Sequence, residues 1–406
     1  MHVAIDARLP DSGQGGVQQV LRQLGLSFNH PKAPEFSRTW IVYQGTTWWK
    51  DSLPSSDDVI EVNPPFGGIA LRIADRFPRA ISFAYPLLRK MQRDVEPYDD
   101  ELLRRGVDVV HLPFQDGFLT SLPSVYNPHD LQHHYFPENF SRMQILHREN
   151  VWRRRSDRAQ VVMAASKSVA ADLETYWGTS TSKICIIPIP PPDRSLPSKE
   201  PENCSTIRRP YLIYPAIFWP HKNHARLIGA IEKLQHQGQF LDLILTGARA
   251  GDFSDVSKMV NKLPDPSRVK FMGHVSNDEL SWLIHNALFM VVPSLFEAMS
   301  LTVWDAQRMG TPVACSSVAP FPDQVGETAI TFDPLDTNDI ARALDVLASD
   351  SSMRERLTRM AQKRVEPLTP YNYAWSMFGV YCDALNVTAP LQSTQSAELL
   401  RKVINA

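Results

Sequence analysis

Residues 289–313, FMVVPSLFEAMSLTVWDAQRMGTPV, place the tightest constraint on the fold. Phe289-Met-Val-Val292 is a short apolar run closed by Pro293, the pattern of a buried strand that reaches the rim of a sheet. A loop bearing Glu297 follows. A helix is then expected from about Thr302 to Met309, stopped by Gly310, before Thr311-Pro-Val313 opens the next strand. A carboxylate loop and a helix N-terminus at the carboxyl end of a strand make a pocket for an anionic ligand. Two acids, Glu297 and Asp305, lie in that unit.

The rest of the chain repeats the same alternation. Strands are expected at His2–Ala7, Thr39–Tyr43, Val107–His111, Val161–Ala165 and Lys183–Ile187, with one ending over Tyr126–Asp130 and helices in the gaps. The first helix is expected over Val17–Leu26, after a glycine-bearing loop. Residues 187–201, IPIPPPDRSLPSKEP, are too rich in proline for a helix and read as an extended linker. Proline makes up 32 of 406 residues, about 8% against the usual ~5%, and lies mainly in loops. Beyond the linker, strands at Tyr211–Ala216, Leu241–Thr246, Arg268–Met272 and Ile330–Phe332 alternate with helices at Ala225–Gln235, Asp278–Asn286 and Asp339–Ala348. Two α/β halves with parallel sheets are therefore expected, of the Rossmann-like, doubly wound kind, facing one another across a cleft. The expected domains are 1–195, 205–370 and a tail 371–406, whose aromatic helix Tyr371–Leu385 packs back over the halves.

Charge and cysteine content narrow the function classes. A formal net charge of −2 argues against a general nucleic-acid binder. The 4 cysteines are scattered without a CxxC pair, as expected of reduced thiols in a cytoplasmic protein. The N-terminus runs straight into a strand pattern without the layout of a signal peptide, and no apolar run approaches the ~18 residues of a spanning helix. Residues 69–93 are different: six basic residues (Arg72, Arg76, Arg79, Arg89, Lys90, Arg93) interleave with Phe77, Ile81, Phe83 and Tyr85 against a single acid, Asp75. With a second cluster at Arg148, Arg153, Arg154, Arg155 and Arg158, this stretch reads either as a solvated helix face plus core residues or as a peripheral contact with the anionic inner face of a membrane.

Several residue types in the second half bear chemistry. Lys222, in Phe218-Trp-Pro-His-Lys-Asn-His224, falls between a strand end and a helix start, where a lysine serves as a point charge for phosphate. A surface lysine near a turn is the plain alternative. Asp305 follows Thr302 at capping-box spacing and could serve the helix alone. Glu297 and Asp305 could also form the acid pair of a glycosidase. No histidine or third acid keeps metal-ligand spacing with them, so no metal is expected there.

Residues 297–313 resemble the donor-site signature of glycosyltransferase family four, retaining nucleotide-sugar enzymes of the GT-B fold. The signature E-G-F-G-L-P-x-x-E-A-x-A-x-G-x-P-V is matched at Glu297, Leu301, Ala306, Gly310, Pro312 and Val313. Pro293-Ser294, His221-Lys-Asn223, Gly273–Leu280, Pro128-His-Asp-Leu131 and Gly15-Gly16 are similar to the family as well, in family order from residue 2 to about 345.

The resemblance implies roles. Lys222 would neutralise the diphosphate of a UDP-, GDP- or ADP-sugar, Glu297 would bind hydroxyls of the donor sugar, and Asp305 would bind the ribose. Backbone amides of Met299, Ser300, Leu301 and Thr302 would hold sugar and phosphate. Gly15 and Gly16 would approach the phosphate or the acceptor, and His129 would lie beneath the sugar ring. It implies a hexosyl transfer to a glycan or lipid-linked saccharide in cell-surface polysaccharide synthesis, without metal or cofactor. The alternatives are a catalytically weak or inactive GT-B scaffold that binds a partner or lipid, and a sugar-nucleotide epimerase, for which no extra acids are seen. Three departures stand out. Asp305 replaces a glutamate, Ala298 and Ser300 replace glycines, and Ile217 stands at the family's arginine, leaving Arg226 or Arg249 as substitutes.

Overall fold

The computed structural model describes residues 1–11, 15–50, 52–64, 98–192, 194, 197 and 200–405. The basic stretch 69–93 and the loop residues 12–14 lie outside them. The chain divides into two compact units, Met1–Pro190 with Leu368–Lys402, and Pro191–Pro367 with the last residues.

The first unit is built on a seven-stranded sheet of β1 (His2–Asp6), β2 (Ser37–Tyr43), β3 (Asp58–Val62), β4 (Val109–Leu112), β5 (Ser124–Tyr126), β6 (Val161–Ala164) and β7 (Ile184–Ile186). Its order is β3-β2-β1-β4-β5-β6-β7, and every pairing is parallel. β4, β5 and β6 are buried along their whole length, the expected state of parallel strands covered by helices on both faces. β3 was not expected from the sequence. Its two acids, Asp58 and Glu61, are exposed as befits an edge strand.

The strand expected to reach Asp130 ends at Tyr126. Pro128 has no amide to give a ladder, and His129 adopts a left-handed backbone, φ 62°, outside the strand region. The first helix begins at Gly15 and runs to Phe28, longer at both ends than its apolar stripe suggested. The aromatic helix of the tail, Pro370–Ala384, belongs to this first unit. There it packs on the helix Gly15–Phe28, with Tyr381 beside Phe28 (ring centroids 6.3 Å) and its hydroxyl 3.0 Å from His111 Nδ1.

The second unit holds a six-stranded parallel sheet of β8 (Tyr211–Pro215), β9 (Asp242–Thr246), β10 (Val269–Gly273), β11 (Phe289–Val292), β12 (Val313–Ser316) and β13 (Ile330–Phe332). Its order, β10-β9-β8-β11-β12-β13, reverses direction between β8 and β11. The core is one continuous cluster in which Leu212, Ile213, Leu245, Met290, Val291, Val303 and Ala314 are essentially unexposed. In open α/β sheets, the loops at the carboxyl ends of the strands flanking such a reversal diverge and leave a crevice. Here those loops are residues 216–223, after β8, and 293–300, after β11.

Candidate functional site

The two loops at the β8/β11 reversal are bound to each other. Leu295 N–H donates to the His221 carbonyl (2.7 Å), and the buried Tyr214 hydroxyl donates to the Lys222 carbonyl (2.9 Å). Asn223 holds a left-handed φ of 59°, a conformation asparagine tolerates better than most residues. Its side-chain amide donates to the carbonyls of Pro293 (2.9 Å) and Pro334 (2.8 Å). Asn223→Ala strands both acceptors and removes a residue suited to that backbone. It is expected to cost about 2 kcal/mol, read as a lower midpoint in urea with unchanged slope.

Lys222 and Glu297 meet in this frame. Lys222 Nζ lies 2.5 Å from Glu297 Oε1, and Ser294 Oγ donates to the same oxygen at 2.8 Å. Both side chains are partly open, 19% and 13% exposed. The resulting surface offers a cation and an anion side by side: the ammonium keeps donors for an anionic ligand, and the carboxylate keeps Oε2 for hydroxyl groups.

The helix after this loop spans Leu301–Arg308, with Ser300 as its N-terminal cap residue. Ala298 and Ser300, where the related signature carries glycines, both keep negative φ, so their side chains meet no backbone penalty. Of the amides at the helix start, that of Ser300 is already engaged: it donates to Gln324 Oε1 (3.1 Å), and Gln324 Nε2 returns a bond to the Ser300 carbonyl (2.6 Å). Gln324 thus clamps the loop. Met299, Leu301 and Thr302 stand at the mouth of the same turn, where helix-start amides lack intrahelical acceptors.

Of the two readings of Asp305, the structure overturns the helix cap. This residue makes no cap, since the cap residue is Ser300 and the Asp305 carboxylate accepts instead from Arg194 Nε at 2.9 Å. Arg194 comes from the proline-rich linker and also donates through Nη1 to Asn277 Oδ1 (2.9 Å). Asp305 is 2% exposed, and burial pushes its carboxyl up to about 6 although Arg194 pulls it down. Neither substitute for the arginine missing at Ile217 stands free: Arg226 Nη1 donates to Asn223 Oδ1 (3.1 Å), and Arg249 lies over the Phe253 ring at 5.1 Å.

Sequence reasoning passed over Gly247. Its φ is 121°, and a Cβ there would meet the Ala216 carbonyl oxygen at 2.4 Å, so the loops after β8 and β9 touch backbone to backbone. Also unforeseen were the glutamine clamp and Arg194. A glycine directly after a strand was the available signal for the first, and nothing local marks the other two.

In the first unit, His129 carries strained backbone at the exit of β5, a state that persists only where the surroundings enforce it. The enforcing contacts are Asn127 Oδ1, which accepts from His129 N–H (3.0 Å), and the Pro113 carbonyl, which accepts from Nε2 (2.9 Å). Burial lowers its pKa and leaves a neutral ring with Nδ1 unprotonated. Gly15 and Gly16 open the helix Gly15–Phe28, and a Cβ on Gly16 would meet nothing within 4 Å. A buried pair absent from the motif reading closes β1: Arg8 donates through Nε and Nη2 to Asp6 (2.7 and 2.8 Å), with Tyr98 and Phe118 beneath its guanidinium. The second basic cluster is no uniform solvated face, since Arg155 is buried and Arg148 stacks on Phe140 and Trp152 (4.1 and 4.3 Å).

Two family descriptions match the chain: Glycosyl transferases group 1 over residues 202–364, and Glycosyltransferase Family 4 over residues 53–190. The O-antigen chain mannosyltransferase B of Escherichia coli is 23% identical over 238 residues, 57% of this chain and 62% of that protein. The match thus spans less than two thirds of that relative's length. Among solved structures, the sucrose-phosphate synthase of Thermosynechococcus elongatus superposes with a TM-score of 0.69 at 18% identity, covering 94% of this chain and 98% of its own. Anabaena HepE in complex with UDP and glucose superposes at 0.67 with 15% identity, covering 93% of this chain and 98% of its own. At such identities the structural likeness establishes the fold.

Proposed function

We propose, from the premise that this chain belongs to the family-four-like glycosyltransferases of GT-B fold, that it is a retaining hexosyltransferase. It moves a mannosyl- or glucosyl-type unit from a nucleotide-diphosphate sugar to a glycan or lipid-linked saccharide in cell-surface polysaccharide synthesis. The observation that carries this reading is the Lys222–Glu297 pair at the β8/β11 reversal. In the reaction, the bond from the anomeric carbon to the diphosphate oxygen breaks and negative charge grows on the leaving group. Lys222 and the free amides at the start of Leu301–Arg308 stabilise that charge from fixed positions, the role a metal fills elsewhere. Glu297 holds sugar hydroxyls. The acceptor hydroxyl attacks the face the diphosphate leaves, and its proton passes to a phosphate oxygen. His129, neutral and rigid, is assigned to the sugar's underside, and Gly15 and Gly16 to the phosphate or acceptor.

Among the described residues no helix is long and apolar enough to cross a membrane. A peripheral contact with the inner membrane face rests on the sequence of residues 69–93.

Purified chain is expected to be protected from thermal unfolding by one member of a UDP-, GDP- and ADP-sugar panel. A ligand at 100 times its Kd stabilises by about 2.7 kcal/mol. Folded protein that no nucleotide sugar stabilises would rule out the donor assignment. A second reading, a non-catalytic scaffold, is favoured by Asp305 being held by Arg194 with Ile217 in place of the arginine. Donor binding without hydrolysis or transfer would select it.

A further inference from the structure

Three side chains of the first unit, outside the residues assigned to donor or acceptor, converge on one point. The short helix Gln132–Tyr135 carries His133 and His134 side by side. Glu149 lies in a π-helical turn, Arg148–Trp152, inserted between the helices Arg142–His147 and Arg153–Arg158. Such turns arise where an extra residue is accommodated to aim a side chain, and they recur at functional sites. His133 Nε2 stands 2.6 Å and His134 Nε2 2.8 Å from the same oxygen, Glu149 Oε1. All three candidate ligand atoms fall within 4.8 Å of one another.

We infer that His133, His134 and Glu149 form a binding site for a divalent cation of the zinc class. Hydrogen bonding alone does not account for the arrangement. Of the two histidines only His133 has hydrogen-bond geometry to Glu149, whose Oε1 also accepts from Trp177 Nε1 (3.5 Å), while His134 Nε2 is buried against the carboxylate with no hydrogen-bond partner among the described residues. Two imidazole nitrogens and a carboxylate, with a fourth position left for water, are a donor set zinc takes in tetrahedral sites. Metal–ligand bonds of ~2.0–2.1 Å place tetrahedral ligand atoms roughly 3.3 Å apart. An ion there would set the Glu149 oxygen back from both ring nitrogens by roughly half an ångström.

Both rings are already held. His134 stacks on Tyr176 (centroids 4.0 Å, planes 11° apart), and His133 stands edge-on to Trp152 (6.2 Å, 88°). Among the described residues His133 Nδ1 is buried without a hydrogen-bond partner, so the site lacks one outer-sphere bond there. Such a bond is worth about 10–100-fold in affinity, and binding is expected to be correspondingly weaker than in fully supported sites. The ion would pin the helix Gln132–Tyr135, which begins three residues after His129, to the π turn. It would stabilise that segment and take no part in leaving-group chemistry.

The test is a Co²⁺ titration of untagged, chelator-stripped full chain. One equivalent is expected to produce the visible d–d bands of tetrahedral cobalt, and Zn²⁺ should abolish them by displacement. His134→Ala and Glu149→Ala, each checked for folding by circular dichroism, are expected to weaken binding by more than the about 10–100-fold that loss of an outer-sphere partner brings. Absence of a tetrahedral spectrum at one equivalent overturns the site, and so does undiminished binding in both variants.

Discussion

Lys222→Ala is expected to lower turnover with the correct nucleotide sugar by about 10²–10³-fold, or about 3–4 kcal/mol of transition-state stabilisation. The charge on a departing diphosphate grows as the glycosidic bond stretches, so a fixed ammonium interacts more strongly with the transition state than with the bound donor. The loss should therefore fall mainly in kcat. Some stability should be lost as well, because the pair is only 19% and 13% exposed and the substitution leaves the Glu297 carboxylate without its cation. Glu297→Ala should also cost activity, and the double variant should lose far less than the product of the two single losses, because both residues act within one pair. Turnover within threefold of the parent in folded Lys222→Ala protein would remove Lys222 from the reaction.

Asp305 is expected to make the protein's stability depend on pH in an unusual direction. Its carboxyl is raised from 3.8 to about 6, so the folded chain holds a proton at pH values where the unfolded chain has released it. The stability this provides is complete below about pH 4 and is lost as pH rises through about 6, a difference of about 3 kcal/mol for a shift of this size. Asp305→Asn cannot titrate. The stability of the parent relative to Asp305→Asn should consequently fall by that amount between pH 4 and pH 7, measured by urea denaturation at each pH. Equal pH profiles would mean that Asp305 is as well solvated when folded as when unfolded. Because the comparison is between pH values, any constant loss from leaving Arg194 without its partner cancels.

Much of this molecule is local information. Apolar runs of four or five residues closed by proline or glycine mark β8, β9 and β11, and the spacing from Glu297 to Gly310 marks a loop and a helix, because periodicity and stop residues act within a few positions. The sequence thus determined the two α/β halves and put Lys222 and Glu297 each in a loop at a strand's carboxyl end. It could not determine strand order. Only the pairing of β8 with β11 makes those two loops neighbours, joining residues 75 apart in a contact of 2.5 Å. Even shorter-range errors had this origin, as where the left-handed turn at His129, held by the Pro113 carbonyl, cut short a strand expected to continue.

Asp305 shows the division most clearly. Its position in the chain allowed a cap or a sugar contact, since both follow from helix spacing. Its actual partner, Arg194, is 111 residues away in a segment whose composition says only that it is not helical. The convergence of His133 and His134 with Glu149 has the same origin, through a π turn that no periodicity announces. Burial and ion pairing are set by what the folded chain brings together, and these decide which acid stays charged, which residue is free to bind, and which is already bound.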